Sequence, residues 1–93
     1  MELNQEYTQA ANDLLSMYLM NGKDTAVLIA GLRELERKAG KELWFRFFDG
    51  DTGATTISDM EGYFASPAYP NFKSINESIR LALKSGQLEV YAD

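Results

Sequence analysis

The sequence predicts an α+β domain: an N-terminal helical hairpin, a β-hairpin, a further helix and a C-terminal strand. The strands are expected to form a small, mostly antiparallel three-stranded sheet covered by helices. Three observations carry this. Apolar residues recur at helical spacing through positions 3–20 and again through 24–39. Two segments rich in aromatic and β-branched residues flank an Asp/Gly turn. The last apolar segment, 88–91, alternates with a period of two. A chain of 93 residues fits one domain spanning 1–93. Its 45% apolar and 25% charged residues are globular proportions.

In the first helix Leu3, Tyr7, Ala10, Ala11, Leu14, Leu15, Tyr18 and Leu19 form an apolar stripe, with Gln5, Gln9, Asn12 and Ser16 opposite. Asn21-Gly22 ends it, because both residues tolerate the left-handed backbone of a helix C-terminus. Asp24 is placed to accept from the free amides of a second helix, whose stripe is Leu28, Ile29, Leu32, Leu35 and Ala39. Arg33, Arg37 and Lys38 suit the negative end of that helix, and Gly40 stops it. The short link predicts an antiparallel hairpin. Gly31 weakens the second helix by about 1 kcal/mol relative to Ala, for which close helix approach would compensate.

Leu43–Phe48 reads as a strand with apolar residues on both faces. Asp49-Gly50-Asp51-Thr52-Gly53 reads as a turn, and Ala54–Ile57 as the returning strand. Ser58-Asp59-Met60-Glu61 has the form of a capping box, with a short helical turn through Tyr63 and Phe64. Pro67 and Pro70 predict a loop over 66–71, and Ser74-Ile75-Asn76-Glu77 a second box opening a helix that bears Ile79, Ala82 and Leu83. Gly86 caps it, and Leu88-Glu89-Val90-Tyr91 closes the chain as a strand.

The composition excludes much chemistry. There is no histidine and no cysteine, so the commonest general base, the thiolate nucleophile and the disulfide are all missing. Ser58, Ser66, Ser74 and Ser78 have no imidazole to activate them. The turn at Asp49 fails the EF-hand register: Ala54 falls at the sixth position and Met60 at the twelfth. Gly50 and Gly53 precede a strand and not a helix, so no phosphate-cradling loop is formed. No cofactor and no metal are expected. The N-terminus lacks a basic region followed by an apolar stretch, and no apolar run approaches a membrane span, so a cytoplasmic location is the default.

Fourteen acids against nine bases give a net charge of −5, which repels phosphate backbones and argues against direct nucleic-acid binding. Residues 47–72 hold Asp49, Asp51, Asp59 and Glu61 with no Lys or Arg. Tyr63, Phe64 and Tyr69 lie in or beside the same stretch. Aromatic side chains rimmed by carboxylates suit a protein-binding surface, giving large contact area at low entropy cost and steering toward a basic partner. The bland alternative is that these aromatics fold back and seal the sheet.

The expected function is therefore a small acidic, non-catalytic protein-binding module or inhibitor. It would engage a basic surface such as that of a nucleic-acid-handling protein, and small anti-defence proteins of phages and mobile elements share this general character. The partner-binding residues would be Asp49, Asp51, Asp59, Glu61, Tyr63, Phe64 and Tyr69. One alternative is a structural homo-oligomer, a homodimer included, built on the two-sided strand Leu43–Phe48 and on Leu88–Tyr91 as an edge strand. Another is a carboxylate-based metal-binding or hydrolytic domain using Asp49, Asp51, Asp59 and Glu61.

Overall fold

The computed structural model describes residues 2–47, 54–65, 69–86 and 88–93, the side chains of 69–75 excepted. Along the chain run β1 (Glu2–Leu3), α1 (Gln5–Met20), α2 (Thr25–Ala39), β2 (Leu43–Arg46), β3 (Thr55–Thr56), α3 (Ile57–Ala65), α4 (Tyr69–Ser85) and β4 (Glu89–Ala92). The α+β class is as predicted, but the sheet has four strands and not three, in the order β1-β4-β2-β3 with every pairing antiparallel.

The extra strand comes from residues that continue the helical stripe in sequence. Leu3 matches the period of α1, yet Asn4 intervenes: its side chain accepts from the Tyr7 amide at 2.9 Å and starts the helix at Gln5. Glu2 and Leu3 are thereby released to pair with Ala92 and Tyr91. The next step up β4 is tied by α1 itself. The Asn4 amide donates to the Val90 carbonyl at 2.9 Å, and the Val90 amide donates to the Thr8 hydroxyl at 2.9 Å. Thr8 in turn donates to the Asn4 carbonyl at 2.7 Å. A helix hydroxyl thus takes the place of a missing ladder partner.

The helical hairpin forms as the sequence predicts. At the end of α1, Gly22 has φ +83° and Lys23 φ +57°, and the Lys23 amide donates to the Tyr18 carbonyl at 2.9 Å. Asp24 accepts from the Ala26 and Val27 amides at 3.1 and 3.3 Å. Gly40, at φ +71°, closes α2 by donating to the Glu36 and Arg37 carbonyls. The compensation at Gly31 is visible: a Cβ placed there would lie 2.9 Å from Leu14 Cδ2, so α1 packs a leucine where a side chain would stand.

β2 and β3 form the predicted hairpin, with Trp44 opposite Thr56 and Phe45 opposite Thr55. The turn bearing Asp49 and Asp51, and Phe48 beside it, lie outside the described residues. The capping box sits two residues earlier than predicted. Thr56 Oγ1 accepts from the Asp59 amide at 3.1 Å and Asp59 returns the bond to the Thr56 amide at 3.4 Å, so α3 begins at Ile57 and not after Ser58. The predicted loop over 66–71 is also corrected. α4 starts at Tyr69, ahead of the Ser74 box, because Pro70 falls in its first turn. There the missing N–H would have had no helical partner anyway, and proline's fixed φ suits the helix.

Leu43, Phe45, Val90 and Ala92 point from the sheet into one core with Ala11, Leu15, Tyr18, Leu28, Ile29, Leu32, Ile57, Met60, Ile79 and Ala82. Trp44, Arg46, Glu89 and Tyr91 occupy the opposite face and are half-buried. Arg46 opposes Glu89 in register and pairs with it, and its guanidinium lies 5.8 Å from the centre of the Tyr91 ring. Paired charges and a cation–π contact dress this face instead of leaving it bare. β4 lies between β1 and β2, so the expectation that Leu88–Tyr91 forms an exposed edge is overturned. The real edges, β1 and β3, are two residues each, too short to template pairing with another chain. Among the described residues no helix is long and apolar enough to cross a membrane.

Candidate functional site

Four of the seven residues singled out from the sequence share α3: Asp59, Glu61, Tyr63 and Phe64. Ile57 and Met60 anchor that helix in the core. The period of 3.6 then fixes what its other positions meet. Glu61, one turn above Ile57, reaches across to α2, where its carboxylate lies 3.5 Å from the Arg33 guanidinium. Phe64 turns inward and its ring lies 5.7 Å from that of Tyr18, tilted by 45°. Tyr63 points outward and is 42% exposed. Asp59 is exposed but holds the Thr56 amide, so capping accounts for it.

The two neighbouring aromatics of α3 therefore go different ways. Phe64 folds back to seal the helical layer and Tyr63 stays at the surface. Tyr69 opens α4 and is not part of a loop, and its side chain lies outside the description. Asp49 and Asp51 lie outside it too, so what the structure brings together is the α3 group.

Glu61 and Phe64 also line a shallow groove between α2 and α3. Thr25, Ala26, Ile29, Ala30, Arg33 and Ala65 complete it. Its floor is apolar, its walls are mostly alanine, and one ion pair stands at its rim. Among the described residues no three carboxylates cluster as metal ligands would. From sequence Arg33 reads as a helix-end cation, in preference to a member of a basic cluster with Arg37, Lys38, Lys41 and Arg46. Its contact with Glu61 joins positions 28 apart, which no local pattern reveals.

Comparison with protein-family models, curated proteins and solved structures finds no match to this chain.

A second surface was not foreseen. At the tip of the helical hairpin an apolar hollow is lined by Leu14, Met17, Tyr18, Asn21, Asp24, Val27 and Leu28. Met17 and Val27 on its rim are exposed, as is the neighbouring Met20. The signal was present in the sequence: Met17, Met20 and Val27 fall off the buried stripes of their helices, on faces that ought to be polar.

Tyr18 is hydrogen-bonded to Asn76, its hydroxyl donating to the amide oxygen on α4. Burial pushes the Tyr18 phenol above its ordinary value. Elsewhere carboxylates meet cations at the surface. The Arg37 guanidinium, hydrogen-bonded to Glu34, holds that carboxyl below the usual range, and Arg80 pairs with Glu77 in the same i, i+3 arrangement. These pairs lie on exposed helix surfaces.

Proposed function

We propose that this protein is a small acidic, non-catalytic binding module that recognises another protein through α3 and the α2–α3 groove. The observation that carries the reading is the exposed Tyr63 on a helix whose only charges are Asp59 and Glu61. An outward tyrosine supplies amphipathic contact area at low rotamer cost, and the carboxylates set the charge of what can approach. The groove beside it, floored by Ile29 and Phe64 and walled by alanines, admits one apolar side chain of the partner. A partner with a positive working surface, such as a nucleic-acid-handling protein, is what this arrangement favours, and inhibition by occupying that surface is the action that follows.

The test is affinity capture from the native host with the tagged chain, run beside Tyr63→Asp and a Glu61→Arg, Asp59→Asn variant. A specific partner retained by the wild type and lost from both variants, with retention falling as salt rises, is the expected result. Equal retention by all three would place the binding surface elsewhere and end this reading.

A further inference from the structure

The solvent stripe of α1 is not an ordinary polar face. Its exposed residues are Gln5, Glu6, Gln9, Asp13, Met17 and Met20, the last five spaced three, four, four and three apart. That spacing keeps the five on one face of the helix. Met17 and Met20 are 58% and 82% exposed, and Val27, beside Met17 on α2, is 67% exposed. The charges along the seam are also ordered. Lys23 is the single base among the first 32 residues, against Glu2, Glu6, Asp13 and Asp24.

Lys23 is held unusually. It is the one non-glycine residue at positive φ among the described residues, and its amide is pinned to the Tyr18 carbonyl. Glycine or asparagine would occupy that position with less strain. Its ammonium has no acidic partner among the described residues. Asp24 next to it is already engaged by the Ala26 and Val27 amides. Asp13 accepts only from Gln9, at 3.1 Å.

We propose that two copies of this chain associate by laying α1 antiparallel on α1 of the second copy, about a two-fold axis midway between Met17 and Met20. At 1.5 Å per residue, Asp13 lies about 8 Å to one side of that axis, and Lys23 follows on the other side, in the turn beyond the end of α1 at Met20. Antiparallel pairing therefore brings Asp13 of each copy to Lys23 of its partner, twice by symmetry. Met17 packs against Met20 across the axis, and Val27 covers the flank. The seam is complementary to itself in this register. A parallel pairing would set Asp13 on Asp13 and Lys23 on Lys23.

This surface is separate from α3 and the α2–α3 groove, so it stands or falls independently of the partner-binding reading. A dimer would present two α3 surfaces together, strengthening attachment to any partner with repeated sites.

The test is sedimentation across a concentration series from low to high micromolar, with thermal melts to verify folding of each variant. The wild type is expected to pass reversibly from monomer to dimer. Met20→Asp, at a surface position that folding does not use, should abolish the dimer. Asp13→Lys and Lys23→Asp should each weaken it at least tenfold alone. Mixed in equal amounts, these two variants should recover it, since each then supplies the charge the other lacks. A wild type that stays monomeric throughout overturns the proposal. So does a dimer indifferent to Met20→Asp, and so does a mixture of the two charge variants that fails to associate.

Discussion

Thr8 shows how much one hydroxyl can hold. It accepts the amide of Val90, a residue with no exposed surface, and donates to Asn4, so it joins the start of α1 to the inner strand of the sheet. Removing it leaves a buried amide without a partner, which costs about 1–3 kcal/mol. Thr8→Ala should lower stability by that amount in a denaturant titration, while Thr8→Ser should recover most of it. Tyr18 gives a pH signature. Its folded phenol titrates above the ordinary value of 10.0 because burial disfavours the phenolate. The unfolded chain then loses its proton first. Stability is intact below the ordinary phenol value and falls as pH rises from there through the raised folded value. Tyr18→Phe should remove this alkaline decline, and thermal melts between neutral pH and strongly alkaline pH would check it. A variant that declines as steeply as the wild type would assign the effect to another group.

Among the elements, the helical hairpin is the one whose contacts follow most directly from local rules, and Gly31 is where tertiary packing overrides them. Alanine there should strengthen α2 by about 1 kcal/mol on propensity alone. Its Cβ would instead meet Leu14 at 2.9 Å. Leu14 is half-buried at the edge of the hollow, so its side chain can swing aside at some loss of packing. Gly31→Ala should therefore gain less than 1 kcal/mol in the wild type and close to the full ~1 kcal/mol in a Leu14→Ala background. A double-mutant cycle by urea denaturation measures the difference, and equal effects in both backgrounds would show the two residues to be uncoupled. α3 depends on a different device. Its start is set by the reciprocal bonds of Thr56 and Asp59, which place Ile57 and Met60 in the core and so turn Tyr63 outward. The same cap that fixes the fold fixes which aromatic meets solvent.

Over the whole molecule the net charge is −5. Arg33, Arg37, Arg46 and Arg80 are each paired with a carboxylate, so the cations that might have formed a phosphate-binding patch are neutralised where they stand. Fluorescence anisotropy with labelled duplex DNA near physiological salt should give no binding, since the net charge of −5 repels the phosphate backbone and these four arginines are already engaged. Saturable binding under those conditions would contradict the charge argument. The same distribution leaves the molecule with two surfaces of distinct character, α3 with its tyrosine and carboxylates, and the methionine seam of α1.

The sequence by itself determined the helical hairpin with its caps at Asp24 and Gly40, the β2–β3 hairpin and the buried alternation of β4. Each of these follows from residues a few positions apart, where period, capping and turn chemistry act directly. The tertiary structure decided the rest. It made a strand of Glu2–Leu3, because Asn4 caps α1 and β4 offered an open side. It let α4 run back through Pro70, because a first-turn proline gives up no helical bond. It separated Phe64 from Tyr63, drew Arg33 to Glu61, and left Met17, Met20 and Val27 uncovered. Those outcomes depend on which distant surfaces meet. The local code sets which face of each element is apolar, and only the packed chain settles which of those faces is covered.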